Sequence, residues 1–478
     1  MNILAIDQGT SATKALVLGP GNEVLGSAEE PVHPRSTADG GVEQDPEELY
    51  RSVLGAGTAA LGQARAPVQA MALANQGETV LAWDRRSGRA LTPAIVWQDR
   101  RSADICRRLS ASASRLAAIT GLPLDPYFAA PKMTWLRENL TAEGVVTTTD
   151  TWLLARLGAG YVTDAATASR TLLLDLETAD WSAEACGVFG LDPGALPEVG
   201  DCAGAFGETA AFGPSLPVTG LAVDQQAALL AERCFAAGEA KCTYGTGAFL
   251  LATTGPAPVR STAGLSASVA WRLAGSATYC LDGQVYTAGA AVRWLAGLGL
   301  VPGAEGLDAA GGSVPDSGGA VFVPALAGLG APHWRPEARG AFLGLGLGVT
   351  RAHLARAVVE GIAASVALLA GSLAVDGAPV GRLRADGGLT RSRLLVQAQA
   401  DLLQVPVEVS KAHDATALGV AALARLGAGD RDDLAEAVGQ AEVEWVAEPA
   451  ITADQAAERL AAYDLAVRAV LAQGAPSR

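Results

Sequence analysis

The chain has 478 residues, of which 50% are hydrophobic and 18% charged, and its formal net charge is -15. That much apolar material excludes extended disorder, and a length prior of about 150 residues per domain calls for two large units or three smaller ones. The negative balance repels phosphate backbones and anionic lipid, which argues against nucleic acid and membrane surfaces as partners.

The N-terminal residues Met1 to Asp7 reach a charge after one short apolar run. They lack the basic start and long apolar core of a leader peptide, so a cytoplasmic location is expected. Residues 3–6, 15–18 and 24–25 are β-prone, and the turns Gln8-Gly9-Thr10-Ser11 and Gly19-Pro20-Gly21-Asn22 separate them. That spacing predicts an antiparallel meander. Residues 46–63 then read as a helix and residues 68–74 and 80–84 as strands, which is α/β patterning. A strand, Gly-Thr turn and strand return at residues 240–244, Gly245-Thr246-Gly247 and residues 248–253. The recurrence signals either an internal duplication or a common turn met twice. A Pro- and Gly-rich stretch at residues 212–217 sets the expected division at 1–221 and 222–478, the second part carrying amphipathic helices at 432–438 and 453–472. Residues 303–319 read as a surface loop or short excursion, and the alanine-rich run 361–375, bracketed by Glu360 and Asp376, as a buried helix. Six cysteines without a CxxC pair and four histidines without HExxH support neither a disulfide framework nor a metal site built from them.

Four segments carry chemistry. In Asp7-Gln8-Gly9-Thr10-Ser11-Ala12-Thr13-Lys14 an acid ends a strand and a glycine turn with hydroxyls follows. Such a turn can aim N–H groups and hydroxyls at phosphate oxygens while Asp7 faces a magnesium ion, or it can be an ordinary hairpin bend. It is not a Walker loop, because GxxxxGK[ST] is absent. Tyr244-Gly245-Thr246-Gly247 offers the same tools from the other half. Ala385-Asp386-Gly387-Gly388-Leu389 precedes a predicted helix over 393–403, and is either a place for adenine or ribose or a plain strand-to-helix turn. Asp224, in Val223-Asp224-Gln225-Gln226, stands at a helix start, where it can take the proton of an attacking alcohol, cap the helix, or both.

These segments resemble the FGGY carbohydrate kinases, most closely the glycerol kinases among them. The similar runs include Gly41-Val42-Glu43-Gln44-Asp45-Pro46, Ile95-Val96-Trp97-Gln98-Asp99-Arg100-Arg101, Asp125-Pro126-Tyr127-Phe128, Ala168-Ser169-Arg170-Thr171 and Gly340-Ala341-Phe342-Leu343-Gly344-Leu345. The resemblance implies a two-lobed, actin-like (ribonuclease H-like) α/β fold with duplicated domains and a central cleft. It implies ATP-dependent phosphorylation of a small polyol or sugar, glycerol-like or a ketose. By the same resemblance Asp224 is the catalytic base, Asp7 the acid linked to Mg2+, and Thr10, Ser11, Lys14, Thr246, Gly289, Arg293, Gly388 and Ser392 the nucleotide side. Gly77, Glu78, Tyr127, Asp224, Gln225 and Phe249 form the polyol side, and a homodimer or homotetramer is compatible with it. Three nucleotide-side positions depart from glycerol kinases, with Lys14 for arginine, Arg293 for glutamine and Ser392 for asparagine. On the polyol side Gly77 stands where glycerol kinases carry an arginine. Losing a charged hydrogen bond to a ligand hydroxyl costs about 1.5–3 kcal/mol, so glycerol needs another donor, such as Arg100 or Arg101, or the vacated space takes a longer acceptor. Trp83, Trp97, Trp135 and Trp334 line the cleft or fill the core. A non-transferring actin-like ATPase or sugar sensor is the other reading of such a chain, but a sensor has no need of Asp224 beside Glu78.

Overall fold

The computed structural model describes residues 1–303, 306–412 and 414–473. The predicted meander forms as strands Ile3–Gln8, Ala12–Leu18 and Val24–Pro31, paired antiparallel. On its other edge Ile3–Gln8 pairs in parallel with Ala70–Asn75, and Ala70–Asn75 in parallel with Leu216–Val223. The second large sheet repeats the scheme. Ala240–Tyr244 and Ala248–Gly255 make a hairpin, Ser276–Val285 adds antiparallel to it, and Leu383–Asp386 and Val407–Ser410 follow in parallel on the far side. Each sheet ends in an antiparallel edge strand, Glu208–Thr209 in one and Val443–Ala447 in the other. Two sheets of matched order and direction are the internal duplication that the two Gly-Thr turns suggested.

Helices cover the sheets for reasons visible in their sequences. Asp45 caps the helix Pro46–Ala64 through its carboxylate, with Pro46 at the first helical position, where its missing N–H leaves no bond unmade. The alanine-rich helix Arg351–Val375 is long and apolar enough to cross a membrane, yet Ala355, Val358, Ile362, Val366 and Leu369 are buried in the core of the second sheet. The helix Ala415–Gly427 lies against the strand Leu216–Val223 and the helix Asp224–Ala231, in a core shared by Ala72, Ala222, Leu251 and Ala421. Thr219 Oγ1 donates to the carbonyl of Ala424 at 3.0 Å across that contact.

One expectation needs correction. Within the segment read as a surface loop, Leu307–Gly311 is a short helix with Leu307 and Gly311 buried, and its Asp308 carboxylate accepts the Leu394 N–H at 3.2 Å. Residues 304 and 305 lie outside the described residues.

Candidate functional site

The strands Ile3–Gln8, Leu216–Val223 and Ala240–Tyr244 all end at one cleft, which holds a cavity of about 440 Å3. Placement at strand ends is expected in an open α/β sheet. Thr10, Ser11, Gly77, Glu78, Tyr127, Asp224, Gln225, Thr246, Phe249 and Arg293 all line it. Thr10 belongs to the first hairpin turn and is held from two sides. Its hydroxyl accepts from Trp97 Nε1 at 2.9 Å and its carbonyl from Gln44 Nε2 at 2.7 Å. Thr246 belongs to the equivalent turn of the second sheet, and its carbonyl accepts the N–H of Ala288 and of Ala290 at 3.0 Å each.

Asp224 is the first residue of its helix, with Val223 in the capping position, and its Oδ1 accepts the Gln225 N–H at 2.7 Å. Burial pushes its carboxyl above the ordinary range, while the Gln225 N–H and the Lys241 ammonium hold it down. Lys241 is buried, and its Nζ donates to Gln225 Oε1 and Thr243 Oγ1 at 2.7 Å each, which fixes the Gln225 amide. Glu78 sits in a turn at φ 55, in the left-handed region. A side chain held there costs on the order of 1–3 kcal/mol, a strain that clusters at functional sites. Its carboxyl is also pushed up by burial and pulled back by Arg170, whose Nε donates to Glu78 Oε1 at 2.7 Å. The same guanidinium reaches across the cleft to Asp282 in the strand Ser276–Val285. Arg170 and Asp282 line the cavity too, and the sequence reading gave neither a role. The signal for Arg170 was its place in the Ala168-Ser169-Arg170-Thr171 run. For Asp282 it was the single charged residue of the strand Ser276–Val285.

Trp97 stands edge-on to Tyr127 at 5.8 Å and to Phe249 at 6.0 Å, an aromatic wall contributed by both lobes. Lys132, fully buried, donates to the carbonyls of Pro126 at 3.0 Å and Phe128 at 2.7 Å and also to that of Tyr127, so it fixes the loop that presents Tyr127. Of the four tryptophans, Trp97 lines the cavity, Trp83 is buried in the first lobe, Trp135 faces the Arg101 guanidinium and Trp334 packs near Phe128. The other donors considered for the polyol are engaged elsewhere. Arg100 pairs with Asp125 at 2.8 Å and lies over the Tyr286 ring, while Arg101 pairs with Asp99 at 2.7 Å and Glu43 at 2.8 Å.

The remaining residues singled out from the sequence, Asp7, Lys14, Gly289, Gly388 and Ser392, do not line this cavity. Asp7 is the penultimate residue of the strand Ile3–Gln8, and its carboxyl is pushed up to about 7 by burial and by the nearby Asp224 and Asp414 carboxylates, against the pull of Lys14. Lys14 pairs with Asp414 and lines, with Gly388, Thr390, Arg391 and Arg393, a second cavity of about 470 Å3. Beside it, Gly387 at φ 93 lets the turn pass so close to Tyr244 that a Cβ would lie 2.6 Å from the Tyr244 carbonyl oxygen. Gly289 lines neither cavity and packs against Gly245, its N–H donating to the Gly245 carbonyl at 3.0 Å. Ser392 caps the helix Arg393–Leu403, accepting the Leu395 N–H at 3.1 Å and donating to Asp308. Among the described residues no group of three or more His, Cys, Asp or Glu is arranged to hold a metal ion.

Residues 2–231 match the N-terminal domain of the FGGY family of carbohydrate kinases, and residues 240–428 match its C-terminal domain. Among curated relatives, the chain is 46% identical to a glycerol kinase of Thermus brockianus, over 89% of this chain and 90% of the relative. It is 43% identical to a glycerol kinase of Myxococcus xanthus, over 97% and 98%. Among solved structures, a Plasmodium falciparum glycerol kinase with ADP superposes at a TM-score of 0.90 with 30% identity, covering 98% of both chains. A xylulose kinase of Brucella ovis superposes at 0.86 with 27% identity, over 99% of this chain and 98% of that one. With both lobes matched in order and a carboxylate-floored cleft between them, this chain belongs to the FGGY family of carbohydrate kinases, which transfer phosphate to an alcohol group.

Proposed function

We propose that this chain transfers the γ-phosphate of ATP to a hydroxyl of glycerol or a closely similar small polyol. The observation that carries this reading is that two hydroxyl-bearing hairpin turns, one per lobe, open on the same cavity as the Asp224 and Glu78 carboxylates. The relatives named glycerol kinases support it, as does the Plasmodium falciparum glycerol kinase structure with ADP. In this reading Glu78, Tyr127, Gln225 and Phe249 seat the acceptor, and Thr10, Ser11, Thr246 and Arg293 face the triphosphate.

Asp224 accepts the proton of the attacking hydroxyl. Its raised pKa makes it a better base near neutral pH than an exposed carboxylate, because proton transfer is most effective when base strength and ionisation are balanced. Asp7 and Asp224 would hold Mg2+, since the Asp224 carboxylate raises the proton affinity of Asp7 and that ion is usually held by one or two carboxylates together with phosphate oxygens. Bound there, it supplies charge neutralisation of the phosphates. The protein's own contribution is chiefly positioning, which is worth roughly 7–11 kcal/mol, against about 10²–10⁴-fold from a general base. Asp224→Asn is therefore expected to lower kcat by about 10²–10⁴-fold with little change in the KM for ATP, measured by coupled ADP release. Undiminished turnover in that variant removes Asp224 from the mechanism.

A further inference from the structure

Gly77 and Val223 meet at one edge of the cavity, each directly before a carboxylate, Glu78 and Asp224. At this spot Gly77 presents only backbone, and beyond its chain neighbours the one atom met within 4 Å of the Cβ position is a methyl of Val223, Cγ2 at 2.9 Å. The guanidinium within reach, that of Arg170, is spent between Glu78 and Asp282. The acceptor end of the cavity thus has a polar floor and an apolar edge.

The two surfaces discriminate very differently. A pocket built to hydrogen-bond a hydroxyl rejects the analogue lacking it by about 10⁴–10⁵-fold, because its polar groups are left unpaired, whereas an apolar wall distinguishes neighbours by only about 10–200-fold. We propose that Val223, with Gly77, is a specificity-determining residue that meets a carbon of the acceptor where a hydroxyl-reading site would place a donor. The enzyme then accepts vicinal diols whose third carbon is a plain methyl on terms close to those for glycerol. This rests on the reading of the cavity as the acceptor site of a small-polyol kinase.

The test compares kcat/KM for glycerol and propane-1,2-diol, by ADP release with product mass as a check, in the wild type and in Val223→Thr. The Thr substitution keeps the shape of the edge and adds a hydroxyl. The expected result is a wild-type preference for glycerol below about 200-fold, rising by about tenfold or more in Val223→Thr, with the KM for ATP showing that the variant is folded. A wild-type preference above that bound overturns the inference, and so does the same ratio in both proteins. Should the variant fail to fold, the wild-type ratio alone decides. Phosphorylation of a larger sugar with no turnover of either three-carbon acceptor also overturns the inference while leaving the kinase reading intact. Turnover of no acceptor at all, across three- to six-carbon polyols and ketoses, overturns the kinase reading itself.

Discussion

Asp7 is held where its ionised form costs stability. Its carboxyl is pushed up to about 7 from an ordinary value of 3.8. Between those two values the folded protein holds a proton that the unfolded chain has released, so this group makes stability fall as pH rises through the window. Above about pH 7 the native state carries a carboxylate pressed against Asp224 and Asp414. Asp7→Asn removes the cost of burying that charge, and with it the repulsion. The variant is expected to melt about 1–4 °C higher than wild type at pH 8, by less at pH 5, and to lose kinase activity at both. A melting temperature at pH 8 that is unchanged or lower would show that the repulsion is relieved in another way. At this scale the runs that resemble the FGGY family pointed to Glu78, Tyr127 and Asp224, which the structure brings to one cavity, and to Asp7, which does not line it. The Arg170–Asp282 pair could not be read from such runs, because its partners are 112 residues apart and only the closing of one lobe on the other brings them together. The engaged hydroxyl of Ser392 was equally hidden, since its partner Asp308 lies in a segment with no readable periodicity.

Elements were legible in proportion to their length and punctuation. The helix predicted over 393–403 forms as Arg393–Leu403, and both Gly-Thr turns join antiparallel strands, because turn chemistry and apolar spacing act locally. The five-residue helix Leu307–Gly311 was missed because so short an element spans little more than one turn and displays no period. What the sequence conceals most completely is how closely elements approach. In the helix Ala415–Gly427 a Cβ on Gly419 would lie 1.9 Å from the Ala227 carbonyl oxygen, so the helix Asp224–Ala231 has no room for a methyl there. Gly371, exposed inside the helix Arg351–Val375, has nothing within 4 Å of the same construction. The same substitution should therefore have opposite signs at the two sites. Gly419→Ala should destabilise by about 1–3 kcal/mol through overpacking, and Gly371→Ala should stabilise by about 1 kcal/mol through helix propensity, both read from denaturant melts. Equal effects would mean that the helix contact yields.

For the whole molecule, the duplicated sheets raise the question of whether the two lobes unfold together. Lobes joined by a small polar interface melt separately as a rule, because such contacts resemble transient interfaces. Here the joint is different in kind. A single apolar core takes Ala72 and Ala222 from the first sheet, Leu251 from the second hairpin and Ala421 from the late helix, so neither lobe can open without exposing part of the other. Arg170 adds a buried tie across the cleft, with side-chain exposures of 5% for itself, 5% for Glu78 and 7% for Asp282. Removing one member of such a network leaves the others charged and unpaired, at a cost of about 3–5 kcal/mol. Calorimetry of the wild type is therefore expected to give one transition, with the calorimetric and van't Hoff enthalpies in agreement. Arg170→Met is expected to lower that transition and still leave it single, since the shared apolar core remains. Two resolved transitions in the wild type would mean that the shared core does not couple the lobes, and two in Arg170→Met alone would assign the coupling to the buried ion network instead.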